Sequence, residues 1–231
     1  MSTTTTTAKL RRNSRIRRAL KAPDRPVAIR REYITDRKTT LVLRPVGDSS
    51  SEISYSIADL DGIPQFTVTG RKFSNRSCRE FRDASGLPLF ELHRKISFRQ
   101  AWNVCLPGSK KATIASAVPR RSFSAAQFGS FDLAFENFAA FECKGAEDKK
   151  VTLEIEKHGN VLKTFDVVDG DRKIAEIRES IPHNRTLALM PESRRGWRPI
   201  MDIDIMPEVD ISLATVIAVI ASDYCFSANY C

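Results

Sequence analysis

Near its C-terminus the chain carries Ile211-Ser-Leu-Ala-Thr-Val-Ile-Ala-Val-Ile-Ala221, a stretch that is apolar on every side. At about 1.5 Å per residue, this run is roughly half as long as the ~20 residues that a membrane-crossing helix needs. A helix that is hydrophobic all round has to be buried. Ile, Val and Thr are weak helix formers, because their branched Cβ loses χ1 freedom against the preceding turn. The helix is therefore expected to draw its stability from packing. Burying Ile211, Leu213, Val216, Ile217 and Ile220 at about 1.5–3 kcal/mol each amounts to on the order of ten kcal/mol, comparable to the net stability of a whole domain. The expected place is the inside of the protein's own β-structure. Asp210 reads as the N-cap, and Pro207 keeps the preceding strand from running on.

From about residue 39 the remaining sequence has the two-residue period of strands. Ile53, Tyr55 and Ile57 alternate with small or polar neighbours, as do Phe66 and Val68, then Trp102, Val104 and Leu106. Val151, Leu153 and Ile155 alternate with Thr152, Glu154 and Glu156, and Met201, Ile203 and Ile205 with Asp202 and Asp204. Residues i and i+2 of a strand share a face, so each segment has one apolar and one wet side. Asp61-Gly62, Ala84-Ser-Gly86, Pro107-Gly108, His158-Gly159 and Asp169-Gly170 supply turns between them. Roughly ten strands at this spacing predict a barrel or sandwich. The stripe Phe128, Phe131, Phe135, Phe138 and Phe141 has helical spacing, but Phe131, Leu133 and Phe135 also alternate, and strand is the preferred reading. A weak internal repeat pairs residues 66–70 with 141–145 and 80–86 with 154–159.

The formal charge of +9 belongs to one segment. Residues 1–38 hold twelve Lys/Arg against Asp24, Glu32 and Asp36, whereas residues 39–231 balance at 25 bases and 25 acids. Residues 1–38 are thus expected to be a basic, disordered arm, and residues 39–231 the folded domain. The arm's polar Thr run cannot offset its own ordering entropy. A mitochondrial presequence and a nuclear-localisation or anionic-surface tether compete with a plain solvated arm. Within the domain, residues 70–121 carry twelve bases against Glu80, Asp83 and Glu91. Such a lopsided half could present phosphate-binding donors; outward strand residues paired with the acidic half are the plainer alternative. No aromatic platform interleaves these bases, which favours a lipid head group over RNA.

The five cysteines form no C-x-x-C pair, and no apolar h-region follows the N-terminal charges, so reduced thiols and a cytoplasmic setting are expected. The sequons at Asn75 and Asn184 then have no role. No nucleophile elbow, dinucleotide fingerprint, phosphate loop or H-E-x-x-H occurs, so no enzyme activity and no cofactor are expected. His93, His158 and His183 are scattered and read as surface residues, since metal ligation needs convergent partners.

Three blocks resemble the LURP-one-related family of the tubby C-terminal-like superfamily, which includes the phospholipid scramblases. The first runs through Phe66-x-Val68-x-Gly70, Arg79-x-Phe81-x-Asp83-x-x-Gly86-x-Pro88-Leu89-Phe90-x-Leu92-x-x-Lys95 and Trp102. The second is Ala175-Glu176-Ile177, and the third is Pro207-Glu208-Val209-Asp210-Ile211-Ser212-Leu213. The resemblance implies a mainly β fold: a closed antiparallel barrel of about twelve strands around a central, C-terminal hydrophobic helix. Glu208 departs from the pattern, because a Gly is expected after the Pro.

The resemblance also implies a non-catalytic binding or adaptor protein, with phosphoinositide or other anionic membrane head groups as partners. Arg71, Lys72, Arg94 and Lys95 are the candidate head-group ligands. A scramblase-like lipid handler using Ca²⁺ at Asp202 and Asp204 is the first alternative, and a nuclear regulator binding nucleic acid through the basic arm the second. Ca²⁺ wants six to eight oxygens, more than these two carboxylates supply. A monomer without a transmembrane span is expected, cytoplasmic and peripherally membrane-associated, with nuclear or mitochondrial targeting by the arm left open.

Overall fold

The computed structural model describes residues 18–47, 54–70, 78–95, 101–109, 112–120, 129–142, 149–159, 162–184 and 198–227, without the side chains of 141–142 and 225–227. Twelve strands follow one another: β1 (Thr39–Val46), β2 (Ser54–Asp59), β3 (Pro64–Gly70), β4 (Cys78–Asp83), β5 (Pro88–Arg94) and β6 (Trp102–Cys105). They continue as β7 (Thr113–Pro119), β8 (Phe131–Glu136), β9 (Lys150–His158), β10 (Thr164–Asp169), β11 (Arg172–Glu179) and β12 (Met201–Ile205). Helix α1 (Ile211–Ser227) ends the described chain. Each strand pairs antiparallel with the next, and β12 returns to β1, where Leu41 faces Ile203 and Leu43 faces Met201. The sheet is closed, which leaves no edge open to aggregation.

The alternation decides which side chains fill the lumen. Phe66, Phe81, Phe90, Phe131, Leu133, Leu153, Ile155, Ile203 and Ile205 are completely buried. Phe66, Phe81 and Phe90 from three adjacent strands form an aromatic row, with ring centroids 5.2 and 5.7 Å apart. Helix α1 fills the remaining space. Every residue from Ser212 to Tyr224 is buried, including the expected core residues Leu213, Val216, Ile217 and Ile220, while Ile211 at its start is half-buried against the core. Its polar side chains are met as well: Thr215 Oγ1 donates to the Ile211 carbonyl at 2.7 Å.

Asp210 caps the helix as expected and also does more. Its Oδ1 accepts from the Ser212 and Leu213 amides, and its Oδ2 accepts from the Ile29 and Arg30 amides at 3.1 and 2.9 Å. Residues 26–35 thereby seal the mouth of the barrel where α1 begins. Val27 bridges to Val209 and Ile34 to Asp210, and Asn137 holds the Ala28 amide and the Pro26 carbonyl. Val27 and Ala28 are fully buried. The expected boundary at residue 38 therefore falls late: from Arg18 onward the described part of the basic segment lies on the barrel, with Leu20 bridging to Lys173. Apolar Val27, Ala28 and Ile29 interrupt the basic composition, and they supply the burial.

Other expectations also meet the structure. The alternating reading of the Phe stripe holds for β8, but Phe138–Glu142 forms a short 3-10 helix. Phe128 lies outside the described residues. The internal repeat does not equate structural units, because residues 66–70 are strand β3 whereas Phe141 sits in that 3-10 helix and 143–145 are outside the described residues. Leu106 is not a strand residue. It opens the β6–β7 turn and is 41% exposed. Glu208, where a Gly is expected, has φ of 67°, in the left-handed region that glycine adopts freely.

Candidate functional site

In an antiparallel meander successive connections alternate between the two mouths, so those after β1, β3, β5, β7, β9 and β11 leave from one mouth. That mouth is where α1 ends. Here the apolar lumen gives way to a charged cluster, because the ends of β2, β4, β5 and β6 contribute Tyr55, Arg79, Arg94 and Trp102 around Asp223 and Tyr224 of α1. Arg79 Nη2 lies 2.8 Å from Asp223 Oδ1, with both side chains about nine-tenths buried. The Arg79 guanidinium stands 5.3 Å from the Tyr55 ring centroid and 5.7 Å from that of Trp102, close enough for cation–π attraction.

A second cation shares the same carboxylate. Arg198, just ahead of β12, donates from Nη1 to Tyr55 Oη at 2.9 Å and lies 3.5 Å from Asp223 Oδ1. Tyr55 in turn donates to Ser222 Oγ at 3.1 Å. Burial disfavours the Arg79 charge, yet Asp223 and Tyr55 outweigh that, and its proton is held more firmly than usual. Burial and the neighbouring Asp223 raise the Tyr55 phenol, which stays neutral. Burial also raises Tyr224, against the opposing pull of Arg94. Arg79 Nη1 and Asp223 Oδ2 are buried without a hydrogen-bond partner among the described residues. Two cations, Arg79 and Arg198, thus share the Asp223 carboxylate, and half-buried Arg94 and exposed Lys95 follow at the end of β5 on the same rim.

The expected head-group residues divide. Arg94 and Lys95 stand at this rim, at the end of β5, whereas Arg71 and Lys72 lie outside the described residues. Among the described residues, two further bases of this stretch are paired with acids: Arg82 with Glu80 at 2.7 Å, and Arg120 with Glu154 at 2.8 Å. Asp202 and Asp204 sit together on the outer face of β12, but an arginine lies between them. Arg178 Nη1 is 2.7 Å from Asp204 Oδ2, its Nε is 3.9 Å from Asp202, and Thr40 Oγ1 donates to Asp204 at 2.8 Å. Asp210 is committed to its cap, and Glu208 lies on the adjoining turn, so the four carboxylates do not converge. Arg198 and Asp223 were missed as rim residues. Asp223 carried a signal, since a lone carboxylate in a lumen-filling helix requires a buried partner.

A model of the LURP-one-related family matches residues 39–222. The chain belongs to the LURP-one-related family. Among solved structures, it is similar to an X-ray structure of a protein from Arabidopsis thaliana, with a TM-score of 0.50 and 16% identity, covering 86% of this chain and 98% of the other. At that identity the likeness concerns the fold. No curated protein matches the chain. The family match begins at the first residue of β1 and ends one residue before Asp223. It therefore contains the whole LURP-one-related barrel but excludes the sealing segment 26–35. The matched Asp83-x-x-Gly86 block is turn chemistry: Asp83 Oδ1 accepts from the Ser85 and Leu87 amides.

Proposed function

We propose that this LURP-one-related protein is a non-catalytic binding protein that docks anionic membrane head groups at the rim around the C-terminal end of α1. The observation that carries the reading is a rim where Arg79 and Arg198 share a single carboxylate, Asp223, with Arg94 and Lys95 at the same end of β5. The lumen is filled by α1, so a ligand has to be met at a mouth or on the outer wall. The opposite mouth is closed by residues 26–35, which leaves the cationic rim as the better-equipped surface. Guanidinium forks suit phosphate oxygens, and attraction of about 1 kcal/mol per basic residue near an anionic surface adds up within a Debye length.

A scramblase-like insertion of α1 would have to expose a helix buried from Ser212 to Tyr224 and break the Arg79–Asp223 pair. No helix among the described residues is long and apolar enough to cross a membrane. Vesicle flotation tests the docking reading. The full chain is expected to float with vesicles containing phosphoinositide or phosphatidylserine at low salt and to be released by high salt. Arg94→Gln with Lys95→Gln should weaken binding about 30-fold, at about 1 kcal/mol for each charge. Equal binding to neutral vesicles, or none to anionic ones, would end the proposal.

A further inference from the structure

On the outer wall of the barrel, next to the cationic rim, Cys78, Glu91 and His93 come together. Cys78 opens β4 and lies directly opposite His93 on β5. Glu91 precedes His93 by two positions, so all three side chains share the outward face, while the alternating Phe90 and Leu92 point into the core. One sulfur, one imidazole nitrogen and one carboxylate oxygen lie within 4.8 Å of one another. The Gly108 amide donates to Glu91 Oε1 at 3.2 Å, which turns Oε2 towards His93 Nε2 at 3.0 Å. Cys78 is 7% and Glu91 5% exposed. That is unusual burial for a carboxylate on the outside of a sheet.

We propose that these three side chains form a site for a divalent transition ion of the zinc class, with Cys78 Sγ, Glu91 Oε2 and His93 Nε2 as its protein ligands. The donor set mixes sulfur, nitrogen and oxygen, which Zn²⁺ accepts and the hard cations do not. Tetrahedral coordination at the usual bond lengths needs ligand atoms about 3.3–3.6 Å apart. The Glu91–His93 pair therefore has to open by only a few tenths of an ångström to admit an ion. Charge also favours this, since a thiolate and a carboxylate together neutralise a doubly charged cation. Glu80 lies directly across from Glu91, but its carboxylate is tied to Arg82 and leaves Glu91 to the site. The Gly108 amide plays the orienting role that outer-shell partners have in metal sites. Three protein ligands leave a fourth position for water.

Cobalt titration of the reduced, metal-stripped full chain tests the site. One equivalent of Co²⁺ should bring up the thiolate-to-cobalt charge-transfer band and the visible bands of a tetrahedral ion, and Zn²⁺ should displace it. Cys78→Ser should abolish the charge-transfer band, and Cys105→Ser should leave it intact. Removing an outer-shell partner costs 10–100-fold in affinity, so His93→Gln and Glu91→Gln should each weaken binding by about 100-fold or more. A folded wild-type chain without the band would overturn the assignment, as would a band that survives Cys78→Ser. If Cys78→Ser fails to fold by circular dichroism, unchanged affinity in a folded His93→Gln variant is equally decisive against it.

Discussion

Asp223 Oδ1 lies 2.8 Å from Arg79 Nη2, inside the barrel and near the last described side chain of α1. A helix otherwise held by non-directional packing is thereby registered against one strand. The pair sets how far α1 is threaded, because sliding the helix by one turn would leave a buried charge on each side without its partner.

Removal of either partner alone should therefore be severe. Asp223→Leu or Arg79→Met is expected to lower unfolding stability by about 3–5 kcal/mol, the range for breaking a buried ion pair. The double variant, apolar on both sides, should recover most of that loss. Urea unfolding of the four proteins in a double-mutant cycle measures the coupling. A coupling near zero would contradict the registering role.

Asp210 makes a pH prediction. Burial pushes its carboxyl up to about 6, against opposing hydrogen bonds from Ser212, Arg30 and Leu213. The native state then holds this proton more tightly than the unfolded chain, so its contribution to stability is present below about pH 4 and is lost as pH rises towards 6. The loss is on the order of 3 kcal/mol. In Asp210→Asn the group no longer titrates. The variant should be less stable than wild type at every pH, with a capping defect, but should lack the decline between pH 4 and 6. Unfolding midpoints across that range, in both proteins, check the sign.

Glu208 holds a left-handed backbone conformation that costs a residue with a Cβ about 1–2 kcal/mol. Glu208→Gly should therefore stabilise the protein by about 1 kcal/mol, after allowing for the extra freedom of glycine in the unfolded chain. Its backbone bonds to Val27 and Thr35 use the amide and carbonyl only, so they survive the change. Thermal unfolding of the two proteins reads the difference.

A chain ending at Val209 loses α1 and leaves a lumen lined by Phe66, Phe81, Phe131 and Ile203 with nothing to fill it. No cooperative unfolding transition is expected from it, because the missing burial is on the order of the whole net stability. A soluble, cooperatively folded truncation would remove the case for α1 as the core of the barrel.

Residues 211–221 and the alternating segments carry their outcome locally. A helix apolar on all sides has to sit inside something, and strands apolar on one side have to enclose something. The two requirements fit together as a filled barrel without any tertiary information, and Asp210 as a cap is equally local. The arm boundary was not legible in the same way. Val27, Ala28 and Ile29 are too short a run to stand out among basic residues, and their burial depends on the Asp210 and Asn137 side chains, which lie over a hundred positions away. The same holds for both clusters of polar residues. Arg198, Asp223 and Arg79 share no spacing in the chain, and neither do Cys78 and His93, because a partner on a neighbouring strand is set by sheet register. Periodicity records which way a side chain points, and that follows from the backbone of its own segment. Which two outward or inward side chains touch depends on how twelve strands close into a ring, and only the folded ring settles that.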